Sequence, residues 1–232
     1  RQITDVEARG KHLLITFDGG QALHSHMGMT GSWHIYRPGE RWQKPAQRAA
    51  ISLECPQVCV VCFTPKQLEL LTAAGLRRHE YLNRLGPDLL EGPPPEQETL
   101  ARFRQCNNLP IGQVVMNQTV IAGIGNVYKS ELLFQLHLHP LTCVRDLSDE
   151  QILTLAMKAR ELMSQNLSGR PRTTRYALDG GRFNVYGRSG KPCYHCGTTI
   201  DLIRQGDLGR TTYFCPQCQS MGLSLAAGSS RI

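Results

Sequence analysis

The chain has 232 residues, 41% hydrophobic and 19% charged, which suits one or two globular domains and excludes a wholly disordered or low-complexity protein. No apolar run approaches the roughly 18–20 residues that span a bilayer, so no transmembrane helix is expected. The formal net charge is +7, and the 26 Lys/Arg and 19 Asp/Glu divide as 15 and 15 over residues 1–157 and as 11 and 4 over residues 158–232, a basic lobe that fits a polyanion, nucleic acid foremost.

Residues 3–63 read as strands. Alternation runs through Leu13-Leu14-Ile15-Thr16-Phe17, a Gly19-Gly20 turn, and Ala22-Leu23-His24-Ser25-His26, with further runs at Ser32–Tyr36 and Val58–Phe63. A β-sandwich or small barrel over residues 1–91 is expected. Cys59 and Cys62 are spaced like a metal knuckle, but positions three apart on a strand face opposite sides, so they read as core or edge cysteines. Gly92-Pro93-Pro94-Pro95-Glu96 is the linker candidate, over 92–97, because proline forbids helix interior and stiffens the backbone.

The pattern then turns helical over 98–182. Helices are expected at 97–106 and 111–118, and from Asn126 to Leu136 after the break Ala122-Gly123-Ile124-Gly125. Another starts at Ser148, where Gln151 completes a capping box and Ile152, Ala156, Ala159 and Met163 line one face. Residues 168–182 are polar, Arg-rich and read as loop. Residues 220–232, with Ala226-Ala227-Gly228-Ser229-Ser230, read as a disordered tail.

Nine cysteines are an odd number without regular framework spacing, and no secretory signal is visible, so a reducing, intracellular compartment is expected. Four of them form two knuckles, Cys193-x-x-Cys196 and Cys215-x-x-Cys218, 18 residues apart, within a ribbon over 183–219. A tetrahedral ion takes two close ligands from each knuckle, and Gly197 and Pro216 supply the tight turns. Thr198–Ile203 and Arg210–Phe214 can pair as a hairpin around Gly206. One structural Zn2+ per chain is expected; a redox role for the CxxC pairs is the rival.

Five segments, in order along the chain, carry a resemblance. They are Arg9-Gly10-Lys11-His12-Leu13-Leu14 with His24-Ser25-His26-Met27-Gly28-Met29-Thr30-Gly31; Leu85-Gly86-Pro87-Asp88; Ile121-Ala122-Gly123-Ile124-Gly125-Asn126-Val127-Tyr128 with Glu131; Val185–Cys193; and Arg210–Gln219. Together, from about Ile3 to Gln219, they resemble the formamidopyrimidine-DNA glycosylase and endonuclease VIII family. The resemblance implies an α+β protein: an N-terminal β-sandwich, incomplete at its start, then a helix–two-turns–helix domain ending in the zinc ribbon. It implies a bifunctional DNA glycosylase and abasic-site lyase of base-excision repair, acting as a monomer on duplex DNA with an oxidised base or abasic site, in the cytoplasm at the nucleoid.

By the same resemblance, Lys11, His26, Asn126 and Arg210 contact DNA phosphates. The Gly123–Asn126 turn suits this role, because glycine lets backbone approach a phosphate and a helix N-terminus offers free N–H groups. Met29 stands where the family inserts an apolar side chain into the gap left by the displaced base. The Arg-x-Phe wedge of the purine-selective branch is replaced by Lys66-Gln67-Leu68, and only ten residues separate Thr174 from Val185, where that branch carries a longer capping loop. The short loop looks more like the endonuclease VIII branch, hence oxidised pyrimidines, while that branch's wedge of three adjacent residues matches Gly28-Met29-Thr30 only at Met29.

Family chemistry uses an N-terminal proline followed by glutamate, the proline amine attacking the sugar C1′. This sequence opens Arg1-Gln2, so an upstream segment bearing the nucleophile is expected, and the chain as written is expected to bind lesions without cleaving them. Lys11 is the candidate auxiliary amine, although phosphate pairing keeps an ammonium protonated. The alternative is a non-catalytic binder of damaged DNA.

Overall fold

A computed structural model describes residues 1–221 and divides the chain into two compact units, Arg1–Arg84 and the remainder from Leu85. The first unit is two antiparallel sheets. Strands β1 (Ile3–Arg9), β2 (His12–Phe17), β3 (Ala22–His26) and β7 (Gln67–Leu71) form one, in the order β1-β2-β3-β7. Strands β4 (Ser32–Tyr36), β5 (Ala49–Glu54) and β6 (Cys59–Phe63) form the other, in the order β4-β6-β5. A two-residue turn, Gly10-Lys11, joins β1 to β2; Gly10 sits at φ 58°, which glycine adopts without a Cβ penalty.

Leu14, Ile15, Ala22 and Leu23 are buried in the first sheet, on both of its faces, and Tyr36, Val61 and Phe63 form a cluster in the second. Trp33 Nε1 donates to Ser25 Oγ at 3.0 Å and ties the two sheets. Cys59 and Cys62 lie on the central strand β6, Cys62 buried in the core and Cys59 half-buried at the strand's start. Two short helices absent from the sequence reading follow: α1 (Ala73–Arg77), capped by Thr72, and α2 (Glu80–Asn83), capped by His79.

The second unit holds α3 (Glu96–Arg104), α4 (Ile111–Val114), α5 (Asn126–Gln135) and α6 (Asp149–Ser164), then β8 (Asp201–Gln205) paired antiparallel with β9 (Arg210–Phe214). Its core joins Phe103, Ile111, Ile121, Ile124, Leu132 and Ile152, each fully buried. Burial of each such side chain is worth about 1.5–3 kcal/mol. Helix α6 buries the expected Ile152, Ala156, Ala159 and Met163, and the Ser148–Gln151 capping box forms.

Two expectations need correction. The division between units falls at Arg84/Leu85, not in the proline run of 92–97. Pro94 is buried, and Pro95 is the N-cap residue of α3, which already contains residues 96 and 97. The prolines preset the backbone for helix entry instead of spacing two bodies. Helix α4 ends at Val114, short of residue 118, because Asn117 and Gln118 turn their side chains onto the local backbone. Of the expected tail, Ser220 and Met221 are described; residues 222–232 lie outside the described part of the chain. Among the described residues no helix is long and apolar enough to cross a membrane.

Candidate nucleic-acid interface

In the first unit the structure gathers the predicted residues at one end of the larger sheet. Lys11 is exposed in the β1–β2 turn, and the pairing of β2 with β3 sets His12 opposite His26, their rings stacked 4.6 Å apart. Burial lowers the pKa of His26 from its ordinary value, and the nearby charges of Lys66 and Lys11 lower it further. A neutral His26 meets an anion as an N–H donor.

The residues 27–31 turn closes through Gly31 N donating to Met27 O at 3.0 Å, with Gly28 at φ 64°. Met29 is 87% exposed at its tip, so core packing is not its role. A Cβ on Gly28 would come within 2.8 Å of Lys66 Cβ, so the Met29 turn packs directly against Lys66.

Beneath Lys11 lies a network that the sequence reading missed. Glu69 Oε1 receives His24 Nδ1 at 2.7 Å, Gln67 Nε2 at 2.8 Å and His79 Nε2 at 3.1 Å, and His12 Nδ1 lies 2.8 Å from His24 Nε2. His24, Glu69 and His79 are close enough to hold a metal ion. The tautomers argue otherwise: His79 Nδ1 accepts the Leu82 N–H at 3.2 Å, which leaves its proton on Nε2, aimed at Glu69. Burial, with His26, His24, His79 and Lys11 nearby, lowers the pKa of His12 to about 4.

In the second unit the glycine-bearing turn is held from inside by Gln118. Its Oε1 accepts Gly123 N–H at 2.9 Å, and its Nε2 donates to the carbonyls of Met116 and Ile124. Gly123 sits at φ 99°, where a Cβ would also strike Met163 Cε. The turn delivers the chain into α5 with Gly125 as N-cap and no side-chain cap. Asn126 opens the helix, and its Oδ1 is buried without a hydrogen-bond partner. The uncapped N–H groups at the start of α5 are donors that an anion can take; the Asn126 Oδ1 is an acceptor and calls for a donor instead.

Arg210 opens β9, directly after a four-residue turn in which Gly206 and Gly209 take φ 66° and 56°. The hairpin is fixed to the helical core by polar contacts. Lys129 Nζ donates to Thr211 O at 3.1 Å, Tyr213 N donates to Ser130 Oγ at 3.2 Å, and Gln205 joins Pro140 O to Thr212 Oγ1. A side chain on Gly112 would collide with Gln205. These contacts place Arg210 and Asn126 on adjacent elements.

Glu131 is fully buried on α5, and its carboxylate accepts from Asn184 N and Nδ2, Val185 N, Tyr186 N and Thr174 Oγ1. It anchors both ends of the short 175–184 loop. Within that loop Arg175 pairs with Asp179, whose carboxyl it holds down at about 2, and both Arg175 and Arg188 stack on Tyr194.

The four sulfurs of Cys193, Cys196, Cys215 and Cys218 lie within 4.8 Å of one another, with Cys196–Cys215 at 3.4 Å and Cys193–Cys218 at 3.9 Å. Zinc–sulfur bonds of about 2.3 Å put tetrahedral sulfurs about 3.8 Å apart, so the cage fits the ion. Hydrogen bonds from Thr198 lower Cys196 to about 6, whereas burial raises Cys215 and Cys218. A divalent cation at the centre would hold all four as thiolates.

Three family models match in the order of these sites: the formamidopyrimidine-DNA glycosylase N-terminal domain over residues 1–68, its H2TH domain over 85–176, and the zinc finger found in FPG and IleRS over 190–220. A "Probable endonuclease 8 2" of Streptomyces coelicolor is 37% identical over 223 residues, covering 95% of this chain and 80% of that protein. The chain belongs to the formamidopyrimidine-DNA glycosylase family. Another relative, "DNA-(apurinic or apyrimidinic site) lyase Nei2" of Mycolicibacterium smegmatis, is 37% identical over 220 residues, with 94% and 82% coverage. The Lactococcus lactis Fpg in complex with DNA containing an abasic site superposes with a TM-score of 0.77 over 94% of this chain and 82% of that one, at 23% identity, a likeness of fold.

Within this Fpg-like frame, Lys11, His26 and Met29 belong to the N-terminal sheet unit, and Asn126, Arg210 and the four cysteines to the second. The residues the sequence reading missed are the ones that hold these in place: Gln118 under the glycine turn, Lys129 and Ser130 under the hairpin, and the His12–His24–Glu69–His79 network under Lys11. Of these, only the facing of β2 and β3 had a signal, the Gly19-Gly20 turn; the register itself is centred on Gly19 and sets His12 opposite His26.

Proposed function

We propose that the protein is a DNA glycosylase and abasic-site lyase of base-excision repair that acts, as an intracellular monomer, on oxidised pyrimidines in duplex DNA. The observation that carries the reading is the second unit's clamp: Asn126 at the open end of α5, beside the hairpin that presents Arg210. Both residues contact phosphates flanking the lesion, and Lys11 and His26 contact phosphate from the sheet unit. One structural Zn2+ per chain, held by Cys193, Cys196, Cys215 and Cys218, keeps Arg210 at the hairpin turn. Met29 fills the space of the displaced base.

The preference for pyrimidines rests on the short 175–184 loop and on Lys66-Gln67-Leu68, which offers no Arg-x-Phe wedge. The test is a nicking assay with the protein of the full open reading frame on duplexes carrying thymine glycol, 8-oxoguanine or an abasic site. Nicking at thymine glycol and the abasic site well ahead of 8-oxoguanine is expected. The reverse preference overturns the branch, and tight binding without nicking identifies a non-catalytic damage binder.

A further inference from the structure

Lys129 is unusual for a lysine: it sits on α5 with no exposed surface. Burying an ammonium is costly unless charge or hydrogen bonds compensate. Its hydrogen bond is to a neutral carbonyl, Thr211 O at 3.1 Å, and among the described residues no carboxylate lies within ion-pairing distance of it. Its charged neighbour is another cation, Arg210; burial, then Arg210, lowers the lysine to about 8. Together they line a cleft of about 450 Å³ with Asn117, Gln113 and Gln205.

Asp207 is the acidic residue of that cleft, exposed in the hairpin turn, and Glu131, two residues along α5, is taken up by Thr174 and Asn184–Tyr186. Asn126 precedes Lys129 by three positions, so the two share a helix face. Lys129 and Arg210 thus place two positive charges side by side where the hairpin meets α5, and an anion arriving there would favour the charged form of both.

We propose that Lys129 is a positioning residue for DNA phosphate binding. Its ammonium tethers the Arg210–Thr211 backbone to the first turns of α5 and adds a second positive charge behind Arg210, so that the pair is stabilised when a phosphodiester arrives. This rests on the reading of Arg210 and Asn126 as phosphate contacts. The phosphate favours the charged lysine, so its pKa rises on binding. Between the free and bound values the complex holds more protons than the free protein, so binding takes up protons near pH 8.5. Affinity then declines as pH rises above about 8.

The experiment is titration calorimetry of an abasic-analogue duplex with the zinc-loaded protein at pH 7.0 and 8.5, in two buffers of different ionisation enthalpy. The wild type, Lys129→Met and Arg210→Ala are compared, with zinc content and melting temperature measured alongside. Proton uptake by the wild type at pH 8.5 is expected. Lys129→Met should bind roughly tenfold more weakly at pH 7.0 and show none of that uptake. A purely packing role would change the melting temperature and leave the uptake intact. If Lys129→Met fails to fold, the wild type decides alone, since no proton uptake at pH 8.5 overturns the proposal. Wild-type affinity in Arg210→Ala overturns the underlying phosphate reading. Weakened binding in Arg210→Ala, with affinity and proton uptake unchanged in Lys129→Met, overturns the role of Lys129 alone.

Discussion

Thr174 Oγ1 donates to the Glu131 carboxylate at 2.6 Å, with both residues buried, and this bond joins the Arg-rich loop to the helix that starts at Asn126. The same carboxylate takes the N–H groups of Val185 and Tyr186 at 2.8 Å each, so a single side chain closes both ends of the loop. Glu131→Gln keeps the shape but turns a donor toward donors and removes a charged acceptor from buried N–H groups. It should cost about 3 kcal/mol. Thr174→Val should cost about 1–2 kcal/mol. Urea unfolding measures both, and amide exchange in residues 175–184 should speed up in each variant. A Glu131→Gln protein as stable as the wild type would show that the loop is held by other contacts.

Acid should destabilise the first unit through its histidines. His12 has a folded pKa of about 4 against 6.5 when unfolded. Between those values the unfolded chain binds more protons, so stability is full above about pH 6.5 and is lost as pH falls toward 4, by up to about 3 kcal/mol. His26, also lowered by burial, acts in the same direction. Unfolding at pH 7.5 and 5.5 should show a smaller loss for His12→Gln than for the wild type. Equal losses would remove His12 from the account.

Zinc should hold the hairpin where hydrophobic burial is thin. The cluster around the cysteines comprises Phe134, Val185, Ile200, Cys193 and Cys215, far less than the helical core. Elemental analysis should give one zinc per chain. Chelation, or Cys215→Ser, should release residues 190–219 while α3–α6 stay folded, and should weaken DNA binding because Arg210 loses its support. Full binding after complete zinc removal would contradict that dependence.

The parts of the molecule legible in the sequence are those fixed locally. Helix α6 announces itself by its capping box and 3.6-residue spacing, and the cysteine cage by a spacing that one ion imposes. Strands β2 and β3 show through alternation. Helices α1 and α2 do not: they span five and four residues, too short for a helical period to register. The prolines at 93–95 looked like a linker because their stiffness is the same in a linker and at a helix start. Nothing local marks Lys129, since its hydrogen-bond partner on β9 lies 82 residues further along at Thr211. The approach of Glu69 and His79 to His24 depends on strand pairing and a short helix, and no local pattern encodes it.

Met29 should matter for lesion processing and not for folding. At 87% exposure, Met29→Ala should change stability by no more than about 0.5 kcal/mol. In the protein of the full open reading frame it should slow excision of a paired oxidised base, and have less effect on an abasic site, where no base needs displacing. A loss of several kcal/mol in stability would instead assign Met29 to packing.

The measurement that bears most directly on the clamp is the affinity of Asn126→Ala and Arg210→Ala for an abasic-analogue duplex across a salt series. Each should weaken binding by roughly tenfold or more while retaining zinc and the wild-type melting temperature, and the slope of log affinity against log salt should fall by about 1 for Arg210→Ala. Wild-type affinity and slope in both variants would contradict the assignment of Asn126 and Arg210 to the DNA backbone.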